Sequence, residues 1–485
     1  MKHLLVALII IFTTLLPVAI HASGEDDLRQ IDSMYRRSEK QEGIEKIETL
    51  LNLSEAYRLV SFDKSLKTGE HAMAFAEQAG YQGLKGKILK SLGVSAYYIG
   101  DYDLALQYYG RAIAAFKQVN DQKGIANCLH NTGLVYEVTG EMEKAVSFYE
   151  ESLQIEEQLG DAIGQAQSIM NIGNLYYQQD SYDKALDYYF RALLITRDLS
   201  DTLLLGQLNQ NIGLVYWQWD QVDEALNQFI LARDLFEQSG ELWEQANATY
   251  HIGLMYATEM NEPDKGLDYY LRALSMKDMV GDPPGSARIL NSIGNLLAEQ
   301  GKYVEAFTNY MQSLELYEAI NNANGIVETY FYIGRTHYKA GNYLASIGFL
   351  EKCLSLARTY QLSSFYDDCN SLLMQNYEKT GNKAAFAHYF SLFNKAYDST
   401  LSSLKKVQMT SARFRYKLND ISSDLSATEA KMDKLQRELQ FYRWALAALI
   451  LLVSSLFLVI FLMRKRNISH RKAGLQTDNQ QQSSR

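Results

Sequence analysis

Apolar residues recur three and four positions apart along most of this 485-residue chain, a spacing typical of amphipathic helices. Glycine marks a longer period, because steps of 40, 40, 40, 40, 41 and 40 residues separate seven successive glycines. These glycines are Gly93, Gly133, Gly173, Gly213, Gly253, Gly294 and Gly334. A period of this length predicts an array of similar helical units.

Other positions repeat with each glycine. A small residue follows twelve positions after most of these glycines, at Ala105, Ala145, Ala185, Ala225, Ala306 and Ser346. An aromatic residue follows sixteen positions after most of them, at Tyr109, Tyr149, Tyr189, Phe229 and Tyr310. Glycine-containing turns such as Thr139-Gly140-Glu141 divide each unit into two halves. Each unit is therefore predicted to be a helical hairpin. The extra residue of the 41-residue step is expected in the turn from Glu259 to Asp264.

The predicted fold class is all-α, a solenoid of about nine repeats over residues 45–397, followed by a heptad helix and one transmembrane helix. Small residues are expected to let the helices of a hairpin approach closely, and the aromatic residue to fill the gap against the next repeat. One hairpin cannot bury its apolar face alone, whereas stacked hairpins share a continuous core. Residues 23–44 are expected to form a helical lead-in.

The repeated glycine, small and aromatic positions resemble the motif of the tetratricopeptide-repeat (TPR) family. The 40-residue spacing is similar to that of the long-repeat subgroup, which includes kinesin light chains and some bacterial peptide-responsive regulators. The first and last repeats depart from the motif, with Ser54 and Met374 in place of the glycine. The resemblance implies a concave groove that binds a protein or peptide, and no enzymatic activity.

Groove-lining positions of the first helix in each repeat carry asparagine and aromatic side chains at helical spacing. An asparagine amide can donate to and accept from a peptide backbone, and a tryptophan is a plausible binding anchor. The candidate groove residues are Asn131, Asn171, Asn174, Asn211, Trp217, Asn247, Asn291 and Asn295. In the alternative interpretation, these amides bond to neighbouring helices and keep the surface soluble.

The two ends of the chain carry membrane signals. Residues 1–22 combine Lys2, an apolar stretch and a small residue, Ala22, at a plausible cleavage point, which predicts a signal peptide or an uncleaved anchor. Residues 444–463 are apolar over a length that spans a bilayer, and Arg464, Lys465 and Arg466 follow directly. We therefore expect a single-span protein of the bacterial inner membrane, with a periplasmic repeat region and a cytoplasmic tail at residues 464–485.

The connector at residues 398–443 carries a heptad pattern of apolar residues. This pattern favours a parallel homodimer, and the alternative is a monomeric helix folded against the last repeats. The order of signal peptide, repeats, connector and membrane span resembles the sensor half of bacterial TPR histidine kinases and regulators. Because the tail is too short to fold alone, a signal would need a separate cytoplasmic partner.

Other chemistry is not indicated. No catalytic, cofactor or metal motif appears, and the net charge of −10 gives no general attraction to nucleic acid. Three cysteines, Cys128, Cys353 and Cys369, do not make a disulfide framework and are expected to be buried thiols. Two functions therefore stay open: a receptor or signalling adaptor that passes its state to a cytoplasmic partner, and an envelope scaffold whose membrane helix is only an anchor.

Overall fold

The computed structural model describes residues 25–58, 61–197, 199–393 and Lys434. Contacts divide the chain into two units, 1–400 and 401–485, and the helices reported below belong to the first. The predicted signal peptide, membrane helix and tail lie outside the described residues, as does the connector except for Lys434. Among the helices that are described, none has the length and apolarity that crossing a bilayer requires.

The described residues form helices joined by short turns. In chain order the α-helices are α1 (Glu25–Ser38), α2 (Gly43–Arg58), α3 (Phe62–Ala79), α4 (Gln82–Ile99), α5 (Tyr102–Gln118), α6 (Gln122–Val138), α7 (Met142–Leu159), α8 (Ala162–Gln178), α9 (Tyr182–Thr196), α10 (Thr202–Gln218), α11 (Val222–Ser239), α12 (Leu242–Leu254), α13 (Pro263–Met279), α14 (Pro283–Glu299), α15 (Tyr303–Ala319), α16 (Ala323–Lys339), α17 (Tyr343–Thr359) and α18 (Tyr366–Thr380). A π-helical turn, Met255–Glu259, continues α12, and a 3-10 turn, Ser363–Phe365, precedes α18. The described part of the chain contains no strand, so the predicted all-α repeat solenoid is confirmed there.

Two layers of helices make up the array. From α2 to α17, each even-numbered helix pairs with the odd-numbered helix that follows it to form a hairpin. Several even-numbered helices also contact the even-numbered helix of the next hairpin, as α8 does with α10 and α14 with α16. We call the even-numbered helices the inner layer and the odd-numbered helices the outer layer.

Six of the seven register glycines lie where an aromatic ring leaves no space for a side chain, and Gly334 faces Leu350. A Cβ atom on Gly173 would lie 2.6 Å from Cε1 of Tyr189, and one on Gly213 would lie 2.8 Å from Cε1 of Phe229. These rings belong to the second helix of the same hairpin, so they fill space within a repeat. Phe229 also stacks on His251 of the next repeat, with the ring centres 4.9 Å apart. Phe116 of α5 also packs between repeats, because it contacts the Gly124 position of α6.

Capping residues begin several inner helices and end several outer ones. Asp121, Asp161 and Asp201 accept hydrogen bonds from backbone N–H groups in the first turns of α6, α8 and α10, which satisfies donors that the helix leaves free. Gly160 and Gly240 follow α7 and α11 with positive φ angles of 66° and 76°, a conformation that glycine adopts without steric cost.

The extra residue of the 41-residue repeat does not lie in a turn, and that prediction is wrong. In the preceding repeats, Asp180 and Asp220 have positive φ seven positions after Gly173 and Gly213. In this repeat the equivalent residue, Asn261, comes eight positions after Gly253. The turn keeps its backbone geometry, and the helix absorbs the insertion as the π-helical turn Met255–Glu259.

Candidate functional site

Hydrogen bonds between neighbouring repeats close the inner layer from α6 to α10. Asn174 Oδ1 accepts hydrogen bonds from the Tyr189 hydroxyl at 2.8 Å and from Asn211 Nδ2 at 3.0 Å. Asn171 Nδ2 lies 3.2 Å from His130 Nε2. These side chains span three repeats, and their polar groups form hydrogen bonds with one another. We call this surface, Glu137, Asn171, Asn174, Gln178 and Asn211, the closed face.

A buried carboxyl group belongs to the closed face. Glu137 accepts hydrogen bonds from the Tyr149 hydroxyl at 2.7 Å and from Gln178 Nε2 at 2.9 Å. Burial raises the pKa of Glu137, and these two donors offset part of that rise. The Gln178 bond joins α8 to α6, so this group also connects consecutive inner helices.

The remaining candidate asparagines lie in three different settings. Asn131 is half-buried on α6. Asn247 and Asn291 are buried, and Asn291 Nδ2 donates to Thr329 Oγ1 at 2.9 Å, whereas Asn247 Nδ2 donates to Glu244 at 3.4 Å. Asn295 Oδ1 accepts from the Tyr310 hydroxyl and from Arg335 Nη2, each at 2.8 Å. Apart from Asn131, each candidate asparagine thus has a protein partner in this structure.

An open cavity of about 490 Å³ lies further along the inner layer. Its walls come from α10, the end of α12, the π-helical turn, α13, α14, α16, the 3-10 turn and the start of α18. The lining residues are Trp217, Leu254, Ala257, Thr258, Glu259, Asn261, Pro263, Tyr270, Ser292, Asn295, Leu296, Glu299, Gln300, Glu328, Phe331, Tyr332, Arg335, Phe365 and Asp368. Two of the predicted groove residues, Trp217 and Asn295, therefore meet at one site.

The π-helical turn places polar groups on one wall of the cavity. Trp217 is 3% exposed, and its Nε1 donates to Glu259 Oε1 at 3.0 Å. Thr258 Oγ1 donates to the carbonyl of Leu254 at 2.9 Å, which is the usual bond of a threonine within a helix. The indole ring is thus held by a carboxylate that the inserted turn supplies.

A guanidinium group and a carboxyl group face the cavity from α16. Arg335 Cζ lies 5.1 Å from the centre of the Tyr332 ring and 5.9 Å from that of Phe331, within cation–π range. The Tyr332 hydroxyl donates to Glu328 Oε1 at 2.7 Å. Burial raises the pKa of Glu328. The cavity therefore offers aromatic walls together with oriented charged and amide groups.

Sequence reasoning missed most of this cavity, because Phe331, Tyr332 and Arg335 replace the asparagines of earlier repeats. The 41-residue step was the available signal, since it marks the irregular helix beside the cavity. Within the described residues, no group of three or more histidine, cysteine or acidic side chains has the arrangement of a metal site.

The fold and the cavity together define an α-helical repeat protein with a ligand-sized opening in its inner layer. More particularly, the sequence model of the tetratricopeptide repeat family matches residues 84–158, 124–198, 163–238 and 285–359. These segments are tetratricopeptide repeats, and the predicted TPR resemblance is confirmed. No curated protein matches the chain.

Solved structures share the fold at low sequence identity. A Rap protein in complex with Competence and Sporulation Factor is 14% identical, with a TM-score of 0.50 over 69% of this chain and 99% of that one. A Signal Transduction ATPase with Numerous Domains protein with a tetratricopeptide repeat sensor, from Pyrococcus horikoshii, is 16% identical, with a TM-score of 0.55 over 76% of this chain and 55% of that one. At these identities the likeness concerns the fold alone.

Proposed function

We propose that this chain is a membrane-anchored TPR receptor or signalling adaptor that binds a protein or peptide segment in the inner-layer cavity. The observation that carries the proposal is the open cavity of about 490 Å³ between Trp217 and Arg335. Its size lies within the usual range for ligand sites, about 300–1,000 Å³. The proposed role is to bind the partner without changing it chemically.

The walls suit an amino-acid side chain presented by an extended segment. Phe331 and Tyr332 supply apolar surface, whereas Asn295, Glu299 and Arg335 supply donors and acceptors at the edge. Aromatic and arginine side chains dominate the energy of protein interfaces when they are desolvated together. The Rap protein whose structure resembles this chain was solved in complex with Competence and Sporulation Factor, which supports a ligand of this class.

The proposed cellular arrangement depends on sequence signals. The apolar N-terminal segment and residues 444–463 would place residues 23–443 outside the inner membrane and residues 464–485 in the cytoplasm. The heptad connector would hold two chains in parallel. Occupancy of the cavity would then reach a cytoplasmic partner through the connector and the membrane helix.

Site-specific photo-crosslinking tests the binding site. A photoreactive phenylalanine analogue replaces Thr258 in the cavity of the full-length chain, and matched chains carry it at exposed Gln167 of the inner layer or at Val304 of the outer layer. We expect one protein or peptide partner to be captured from position 258 and not from positions 167 or 304. Equal capture from all three positions, or capture from 304 alone, would contradict the proposed site.

An envelope scaffold is the second candidate, and exposed apolar side chains on the outer layer favour it. Val304 on α15 and Leu344 on α17 are each 79% exposed. Surfaces of this kind can hold other proteins without any change passing through the membrane. Replacing residues 444–485 by an unrelated membrane anchor separates the two functions. A scaffold keeps its activity after this exchange, whereas an adaptor loses it.

A further inference from the structure

Two cysteines meet where α17 packs against α18, the last two helices named above. Cys353 lies on α17 and Cys369 lies on α18, and their Sγ atoms are 3.2 Å apart. Both side chains are completely buried, with an exposed fraction of 0%. They come together because an outer helix packs on the first helix of the following repeat, which brings positions sixteen apart in sequence into contact.

The surroundings of the two sulfur atoms are apolar. Both cysteines belong to one cluster of buried side chains with Leu350 and Leu373. The Cys353 thiol also lies 3.4 Å from the carbonyl oxygen of Val327. The contact with Cys353 and burial together raise the pKa of the Cys369 thiol. A charged thiolate is therefore disfavoured in the folded array, whereas a neutral sulfur–sulfur bond suits the site.

We propose that Cys353 and Cys369 are a disulfide-forming pair that joins α17 covalently to α18. The third cysteine, Cys128 on α6, is buried in a different apolar cluster and serves as an internal comparison. The pairing does not depend on the proposed ligand or on the membrane signals.

The chemistry is a thiol–disulfide exchange with a disulfide donor such as oxidised glutathione. One cysteine loses its proton, and its sulfur attacks the donor disulfide, which forms a mixed disulfide and releases one donor thiol. The second cysteine loses its proton and attacks the protein sulfur of the mixed disulfide, which releases the second donor thiol. The protein loses two protons and two electrons, and the donor disulfide becomes two thiols.

The burial of both thiols sets the order of events. The folded array gives a donor no access to either sulfur, so the exchange takes place before α18 docks or during a local opening of α18. Once formed, the bond keeps α18 attached to α17 and opposes local opening of α18. With the bond in place, α18 would no longer detach from α17 separately from the rest of the array.

Thiol mapping on the full-length chain tests the pair. The chain is reduced and denatured, refolded with oxidised and reduced glutathione, and then denatured again with an alkylating reagent. We expect one alkylated thiol, Cys128, and a peptide in which Cys353 is bonded to Cys369. Three alkylated thiols, or a disulfide that includes Cys128, would overturn the proposal.

Matched variants make the result specific. The chain with Cys128→Ser should still form the bond, whereas Cys353→Ser and Cys369→Ser should each leave the remaining member of the pair alkylated. In wild type, oxidation should slow hydrogen exchange of the α18 amides by about tenfold or more, because the cross-link opposes local opening. Unchanged exchange in α18 would contradict the proposed attachment, even if the bond forms.

Discussion

The closed face and the inner-layer side of the cavity use equivalent helix positions, yet they differ in what their polar groups contact. On the closed face, Asn174 accepts two protein hydrogen bonds and is buried. In the cavity, the equivalent residue Asn295 also accepts two, but it is half-buried and borders open space. The same residue type can therefore serve stability in one repeat and recognition in another.

The boundary between the closed face and the cavity lies at the repeat that contains the inserted residue. The π-helical turn Met255–Glu259 changes the end of α12 and brings Glu259 to Trp217. The two preceding repeats keep a regular helix at this point, and Asn174 of one repeat bonds to Asn211 of the next. A single additional residue thus coincides with the opening of the inner layer, and π-helical turns are often found at functional sites.

The largest expected effect is the loss of stability when the buried Tyr189 ring beneath the closed face is removed. Tyr189 is fully buried over Gly173 and donates to Asn174. Tyr189→Ala should lower the free energy of unfolding by about 3–5 kcal/mol, because a large cavity replaces the ring. Tyr189→Phe, which removes the hydroxyl alone, should cost about 1–2 kcal/mol. Urea denaturation followed by circular dichroism measures both, and equal losses would show that the hydroxyl outweighs the packing.

Acid should weaken the part of the core beside the cavity. Burial lowers the pKa of His251 to about 3, and the residue is 1% exposed. The unfolded chain binds a proton below about pH 6.5, so stability is fully present above that pH and is lost as the pH falls toward 3. This group should contribute a slope of about 1.4 kcal/mol per pH unit in that interval.

A histidine variant isolates this slope. His251→Phe replaces the imidazole by a phenyl ring, so an aromatic ring still packs against Phe229 but the titrating group is removed. Its free energy of unfolding should fall less steeply between pH 6 and 4 than that of the wild type. His71→Phe, at an exposed position on α3, controls for the loss of a histidine. Identical slopes for wild type and His251→Phe would contradict the assignment.

Paired asparagine variants sharpen the comparison of the two regions. Asn174→Ala leaves the Tyr189 hydroxyl and the Asn211 amide without their acceptor in a buried place, and it should cost about 1–3 kcal/mol. Asn295→Ala should cost less, about 1 kcal/mol or under, because water can replace the amide beside the cavity. Affinity for the partner captured at position 258 should respond the other way, falling in Asn295→Ala only. Loss of affinity in Asn174→Ala would indicate that the partner binds to the closed face and not in the cavity.

The smallest effect on stability concerns two arginines that lie over tyrosine rings. Arg335 borders the cavity, whereas Arg272 lies over Tyr269 on outer helix α13 and pairs with Asp268. Each arginine-to-alanine change should alter the free energy of unfolding by about 1 kcal/mol or less. Only Arg335→Ala should weaken binding of the captured partner, by about tenfold or more. Isothermal titration against both variants checks the difference.

The repeat was predictable because glycine, small and aromatic residues recur at a fixed spacing and each has a steric reason. The closed face was not, because an asparagine amide bonds equally well to a peptide or to another side chain, and its residue type does not choose between them. The π-helical turn was not predictable either, since counting residues from Gly253 locates an insertion but not the backbone that absorbs it. The contact between Cys353 and Cys369 follows from packing between repeats, which periodicity within a repeat does not describe.

Hydrogen exchange of the full-length chain, with and without the partner captured at position 258, tests the central claim that the cavity is the binding site. The account predicts slower exchange in 254–259, 292–300 and 328–335 when the partner is bound, with little change in 167–178 and 207–214. Slower exchange confined to the closed face, or to the outer helices α13 and α15, would contradict it.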